Sequence, residues 1–213
     1  MFDSMMNRKL SLFSLAALFF AVTSHAQDAK TSVPVAPRDS SMGKPWEQNS
    51  IDLETGYLWK VGGDTPLDYN MVPVMLSWRS KEVLGFHFEN GSALVVRNRV
   101  TLLGQWVETG AENHYFGIMG APSIEWWNPS ATWSIYGNIG GGFGLIDSQG
   151  VTGGQGQDFT LNWYAASGIA FAVSDNMQIR AGAMFQHLSN GGATDPNPGI
   201  NSLGVTLGVS WGF

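Results

Sequence analysis

The chain has no cysteine, which excludes disulfides, thiol nucleophiles and cysteine metal centres. Charge is scarce as well. Asp, Glu, Lys and Arg make up 13% of the 213 residues, where a soluble domain carries about 25%. Basic residues are the rarer sign, 11 against 17 acidic, for a formal net charge of −6. That balance argues against nucleic acid as the main partner. After the N-terminus no apolar run approaches the roughly 18 residues that a spanning helix needs. What is plentiful is glycine (27) and tryptophan (9), a composition that a soluble core does not call for.

The first residues read as an export signal. Arg8 and Lys9 give a positive start, Leu10 to Val22 is apolar, and Ser24-His25-Ala26 offers small residues for cleavage before Gln27. Residues 1–26 are therefore expected to be a signal peptide. Residues 27–50 hold Pro34, Pro37 and Pro45 among scattered polar residues without periodicity, and read as a flexible periplasmic lead-in.

From residue 51 to 213 the pattern has period two. Leu203, Val205, Leu207, Val209, Trp211 and Phe213 alternate with Ser, Gly and Thr. Such a strand has one greasy face and one face of small polar groups. It suits a wall between lipid and a narrow polar interior. The same alternation recurs in segments beginning near Ile51, Val72, Val96, His114, Ala131, Phe159 and Met177. Eight strands predict an all-β, eight-stranded antiparallel outer-membrane β-barrel, filled by its own side chains. On the polar parity Glu54, Glu125, Arg97 and Arg99 should pair inside the barrel, because interior charges need partners. The stretch from Ser80 to Ala93 is long for a turn and is expected to extend two strands as a hairpin around Glu89-Asn90-Gly91. The glycine run Gly140-Gly141-Gly142 has no helix after it, so it is no phosphate loop; it reads as strand with a glycine inner face. His87 and His114 have no evident partner in the sequence and read as interfacial.

Topology then places one histidine. In a barrel of this kind both termini are periplasmic and the long connections face outside. The segment from Met177 therefore runs outward and ends at His187-Leu188-Ser189-Asn190. His187 and Ser189 share the parity of Met177, Ile179 and Phe185, so they should face lipid. On the neighbouring last strand Asn201 shares the parity of Leu203 and Phe213. Polar groups on a lipid-facing wall are costly unless paired, and they are often functional. A serine hydroxyl becomes nucleophilic when an imidazole takes its proton. A third group must hold the other ring nitrogen, and the carbonyl oxygen of Asn201 can do so. Asn190, or backbone amides around Gly191 and Gly192, could donate to an oxyanion. The alternative for a lone His-x-Ser is a polar rim without chemistry. No metal or cofactor is called for.

His187-Leu188-Ser189-Asn190-Gly191 followed by Asn197-Pro198-Gly199-Ile200 resembles the lipid A 3-O-deacylase family, the PagL-like acyloxyacyl hydrolases. The resemblance implies an eight-stranded outer-membrane barrel with an outward-facing Ser-His-Glu triad. It implies hydrolysis of the acyl ester at the 3-position of lipid A, with lipopolysaccharide as substrate, outer-membrane lipids as surroundings and room for a homodimer. By matching, His187 is the general base, Ser189 the nucleophile and Asn190 part of the oxyanion hole. One departure stands out: the family's acidic member falls at Asn201, which can orient the histidine but cannot offset an imidazolium with a full charge. Asp195 is the nearest carboxylate that could help. The site also resembles outer-membrane phospholipase A, a Ser-His-Asn enzyme with twelve strands and calcium-dependent dimers, for which this chain is short. A phospholipase, or a structural barrel without chemistry, is thus the runner-up. The Gly153–Asp158 segment reads as an exposed loop that meets lipid A sugars or phosphates.

Overall fold

The computed structural model of the chain describes residues 43–63 and 65–213. The expected signal peptide and most of the expected lead-in lie outside the described residues. Eight antiparallel strands close into one barrel in sequence order. They are β1 (Ser50–Lys60), β2 (Asn70–His87), β3 (Ala93–Thr109), β4 (His114–Trp127), β5 (Trp133–Ile146), β6 (Phe159–Ala172), β7 (Met177–Ser189) and β8 (Ile200–Gly212). The ring closes by β1 pairing with β8, Ser50 opposite Gly212 and Lys60 opposite Ser202. Closure leaves no free edge, so every strand's backbone groups can be satisfied within the sheet.

The alternation decides which side is which. Leu76, Val100, Phe116, Ile139, Leu161 and Leu207 stand exposed around the outside, the apolar band that a bilayer requires. The hairpin expected around Glu89-Asn90-Gly91 is present, with β2 and β3 running 18 and 17 residues up to it. Short turns at 88–92, 128–132 and 173–176 lie at one end, with the start of β1 and the end of β8. The longer connections at 61–69, 147–158 and 190–199 lie at the other, the end that faces outside by the length rule.

The interior has two layers where the sequence suggested one polar lumen. Toward the turn end lies a charge cluster. Arg79 donates to Glu125 at 2.5 Å and to Asp52 at 3.1 Å. Arg97 lies 3.6 Å from the same Glu125. Arg99 pairs with Glu54, and Arg180 donates to Glu54 at 3.3 Å. The expected four residues are thus paired, together with Asp52, Arg79 and Arg180. Toward the loop end the lumen is filled by apolar side chains, among them Leu58, Met71, Met119, Tyr115, Met184 and Leu188. Tyr136 bridges the layers with the Arg180 guanidinium 3.9 Å from its ring centre. Its ring fits because β6 and β7 present paired glycines to it, Gly168 opposite Gly182. A Cβ on Gly182 would lie 2.6 Å from the Tyr136 hydroxyl.

The lead-in expected to be flexible to residue 50 ends in structure. Pro45–Glu47 form a 3-10 turn with Trp46 buried. The indole packs 5.4 Å from the Trp127 ring, and Arg97 donates to the Gln48 carbonyl at 2.7 Å. A proline-rich, aperiodic stretch can still plug a barrel mouth with one aromatic. The two histidines that lacked evident partners have them: His87 lies 3.1 Å from Glu82, and His114 lies 3.6 Å from Asp147.

Candidate active site

β7 and β8 pair so that His187 stands directly opposite Asn201. Both carry the outward parity, and both are half-buried at the loop end of the wall. The His187 Nδ1 and the Asn201 Oδ1 are 2.7 Å apart. An amide oxygen can only accept, so this contact selects the tautomer with hydrogen on Nδ1. Nε2 is left with its lone pair, the form a general base needs. On the other side of β7, Trp163 stands opposite His187, with ring centres 6.5 Å apart. The imidazole is therefore flanked by an indole on β6 and an amide on β8.

Asn201 is itself fixed from a distant part of the chain. Its N–H donates to Thr65 Oγ1 at 2.9 Å, and its carbonyl accepts from the Val61 N–H at 2.9 Å. The β1–β2 connection thus clamps the backbone on which the amide sits. Thr65 was not legible as part of the site, since no sequence signal links it to residue 201.

Ser189 is the last residue of β7, opposite Leu161. Two residues from His187 along a strand, it lies on the same face, about 6.6 Å away between Cα atoms. Its hydroxyl has no hydrogen-bond partner among the described residues. Beyond it the chain turns through Gly191 and Gly192 with φ of 69° and 79°, left-handed backbone that favours glycine at both positions. The three residues expected around an oxyanion differ in what they offer. Asn190 is buried and its side-chain amide donates to the carbonyls of Gln155 at 2.6 Å and Thr194 at 2.8 Å. Its own N–H goes to Asn197 Oδ1 at 3.0 Å, and the Gly192 N–H goes to Asn190 Oδ1 at 2.8 Å. Asn190 therefore organises the loop, its donors turned inward. The exposed Gly191 N–H is the donor of this trio that has no acceptor among the described residues.

The Gly153–Asp158 segment, expected as an exposed loop, is partly interior. Gln155 is fully buried. Its side-chain oxygen accepts from the Gly199 N–H at 3.3 Å, and its carbonyl holds Asn190. Gly199 lies against the imidazole; a Cβ there would stand 3.3 Å from His187 Cε1. Gln155 is anchored in turn by Glu112, whose Oε1 accepts its N–H at 3.2 Å and the Ser148 hydroxyl at 2.7 Å. Tyr69 donates to the other Glu112 oxygen at 2.7 Å. Burial, with this hydrogen bond and the adjacent carboxylate, holds the Tyr69 phenol well above its usual range. Asp195 does not reach His187, whose hydrogen-bond partner is Asn201.

A family model described as lipid A 3-O-deacylase (PagL) matches residues 73–210. Among solved structures, the outer membrane enzyme PagL superposes with a TM-score of 0.51 at 18% identity, covering 75% of this chain and 97% of that one. Neisserial surface protein A does so with 0.50 at 11% identity, covering 78% and 97%. At these identities the likeness speaks for the barrel alone. Comparison with curated protein sequences finds no match. The family match runs over more than half of the chain and takes in His187, Ser189 and Asn201, and on that ground the chain belongs to the lipid A 3-O-deacylase family.

Proposed function

We propose that the protein is a serine esterase of the bacterial outer membrane that removes the 3-O-linked acyl chain from lipid A. The observation that carries this is the 2.7 Å His187–Asn201 contact on the lipid-facing wall, one turn of the pleat from Ser189. In water such a pair would be unremarkable; facing acyl chains it is expensive unless used.

In this reading Ser189 Oγ attacks the ester carbonyl while Nε2 of His187 takes its proton. Asn201 holds the ring in the productive tautomer and orientation. Negative charge on the carbonyl oxygen falls to the Gly191 N–H, a donor fixed by the turn that follows the nucleophile. His187 returns the proton to the departing sugar oxygen, leaving an acylated serine. Water then attacks that ester with His187 again as base, releasing a free fatty acid and restoring the hydroxyl. The barrel sets the depth of the site, so the ester arrives from the outer leaflet without leaving it.

Mass spectrometry of lipid A from cells expressing the parent or Ser189→Ala tests the reading. Loss of one hydroxyacyl chain with the parent only is expected. Unchanged lipid A in both, with the barrel folded in the membrane, would refute deacylation. Release of fatty acid from phospholipids in a calcium-dependent manner would instead favour the phospholipase reading, which the amide at position 201 keeps in view.

A further inference from the structure

The placement of every basic residue bears on which lipid the site accepts. Of the eleven Lys and Arg residues, Arg8, Lys9, Lys30, Arg38 and Lys44 precede the barrel. Arg79, Arg97, Arg99 and Arg180 are buried in its lumen, spent on Asp52, Glu54 and Glu125. Lys81 lies toward the turn end, its N–H bonded to Asn49. That leaves Lys60, at the outer end of β1, and it is ion-paired with Asp68 at 3.6 Å. The four outer connections, 61–69, 110–113, 147–158 and 190–199, contain no Lys or Arg at all. They contain Asp64, Asp68, Glu112, Asp147, Asp158 and Asp195.

Three of these acids sit on the connections that build the site. Asp195 follows Ser189 in the β7–β8 loop. Asp158 belongs to the β5–β6 loop that grips Asn190 through Gln155. Asp68 belongs to the β1–β2 loop that holds Asn201 through Thr65. Asp68 is balanced by Lys60, so a headgroup whose ester lies at Ser189 meets the carboxylates of Asp158 and Asp195 and, among the described residues, no unpaired cation on these connections. Phosphate recognition normally rests on Arg or Lys, and like charges brought together disfavour a partner. Neutral sugar hydroxyls meet no such penalty.

We infer that the preferred substrate is a 3-O-acylated glucosamine lipid whose phosphate charge is neutralised at the site, whether absent, capped by an amine or bridged by a divalent cation. This rests on the esterase reading above. The shared requirement is that little free phosphate charge faces the acidic loops.

The test compares kcat/KM of the detergent-solubilised protein on three preparations: a phosphate-free acylated glucosamine disaccharide, the bisphosphorylated disaccharide with chelator, and the latter with millimolar magnesium. The phosphate-free lipid is expected to be cleaved about tenfold faster than the chelated bisphosphate, the low end of electrostatic effects on encounter. Magnesium is expected to close most of that gap, and Asp195→Lys to raise the rate on the bisphosphate while leaving the phosphate-free rate unchanged. Equal rates on the first two preparations, or a faster rate on the chelated bisphosphate, would overturn the inference and leave the esterase standing. Hydrolysis of none of the three would overturn both.

Discussion

On the esterase reading, Asn201→Asp should raise kcat. The substitution is isosteric, and Thr65 and Val61 fix the backbone through main-chain groups that it does not alter. The carboxylate therefore stands where the amide oxygen now does, 2.7 Å from Nδ1. A neutral hydrogen bond contributes about 0.5–1.5 kcal/mol and one to a charged group about 1.5–3 kcal/mol. The imidazolium forms only as the serine proton is taken, so the extra stabilisation of about 1–1.5 kcal/mol belongs to the transition state. At roughly 1.4 kcal/mol per tenfold, kcat should rise about five- to tenfold. Asn201→Leu removes the acceptor and frees the ring to adopt the other tautomer, so kcat should fall by at least about tenfold. The assay is fatty-acid release from lipid A in mixed micelles, with heat-modifiable gel migration as the check that each barrel is folded. Full activity in Asn201→Leu would show that the 2.7 Å contact has no part in catalysis. A slower Asn201→Asp would show that the amide is the adapted residue here and that the charge argument is wrong.

Gln155→Met keeps the length of the side chain but removes the acceptor for Gly199, so kcat should drop by a few-fold at unchanged KM, about what one neutral hydrogen bond supplies; equal kcat would show that the loop holds without it. Glu125→Leu takes from Arg79 one of its two carboxylates and from Arg97 its ion-pair partner, and should cost about 3–5 kcal/mol of stability, read as a lower urea midpoint for unfolding from lipid bilayers; an unshifted midpoint would mean that the cluster re-pairs freely. Burial works against ionisation of Asp147, but hydrogen bonds from the His114 and Asn113 backbone and from the Asn113 side chain prevail and hold its carboxyl below the usual value. A depressed carboxyl stabilises above its unfolded pKa of about 3.9 and loses that contribution as pH falls through the folded value. Hydrogen-exchange protection of the Asn113 and His114 amides should therefore be constant from neutral pH down to about 4 and fall below it; a loss already near neutrality would contradict the assignment.

How much of this was legible beforehand follows from the kind of signal each element leaves. Strands alternate, and a one-residue slip would turn Leu203 or Val205 into the lumen, so parity alone gave the barrel and its lipid face. The meeting of His187 and Asn201 followed from the same parity plus the adjacency of the last two strands. Glu54, Glu125, Arg97 and Arg99 were legible as partners because burial demands pairing; Asp52, Arg79 and Arg180 lie on the same parity and join the same cluster. The loops were less legible. Asn190-Gly191-Gly192 reads equally as a donor cluster and as a turn, and only the observed bonds separate Gly191 from its neighbours. Gln155 lies in a glycine-rich segment that looks exposed, since nothing local announces that Glu112 and Asn190 will enclose it. Trp46 was hidden for the opposite reason: a lone aromatic among prolines has no period.

The packed lumen has a consequence for traffic. Arg79, Arg97, Arg180, Tyr115 and Trp127 are wholly enclosed, and no water-filled path can run the length of a cylinder stoppered at its mouth by Trp46. In a planar bilayer the protein should be electrically silent. On the esterase reading, substrate and product must then arrive and depart sideways, in the plane of the leaflet. A freed fatty acid stays in the membrane that supplied it, so product clearance depends on lateral diffusion and on the local crowding of lipids, not on any conduit through the protein.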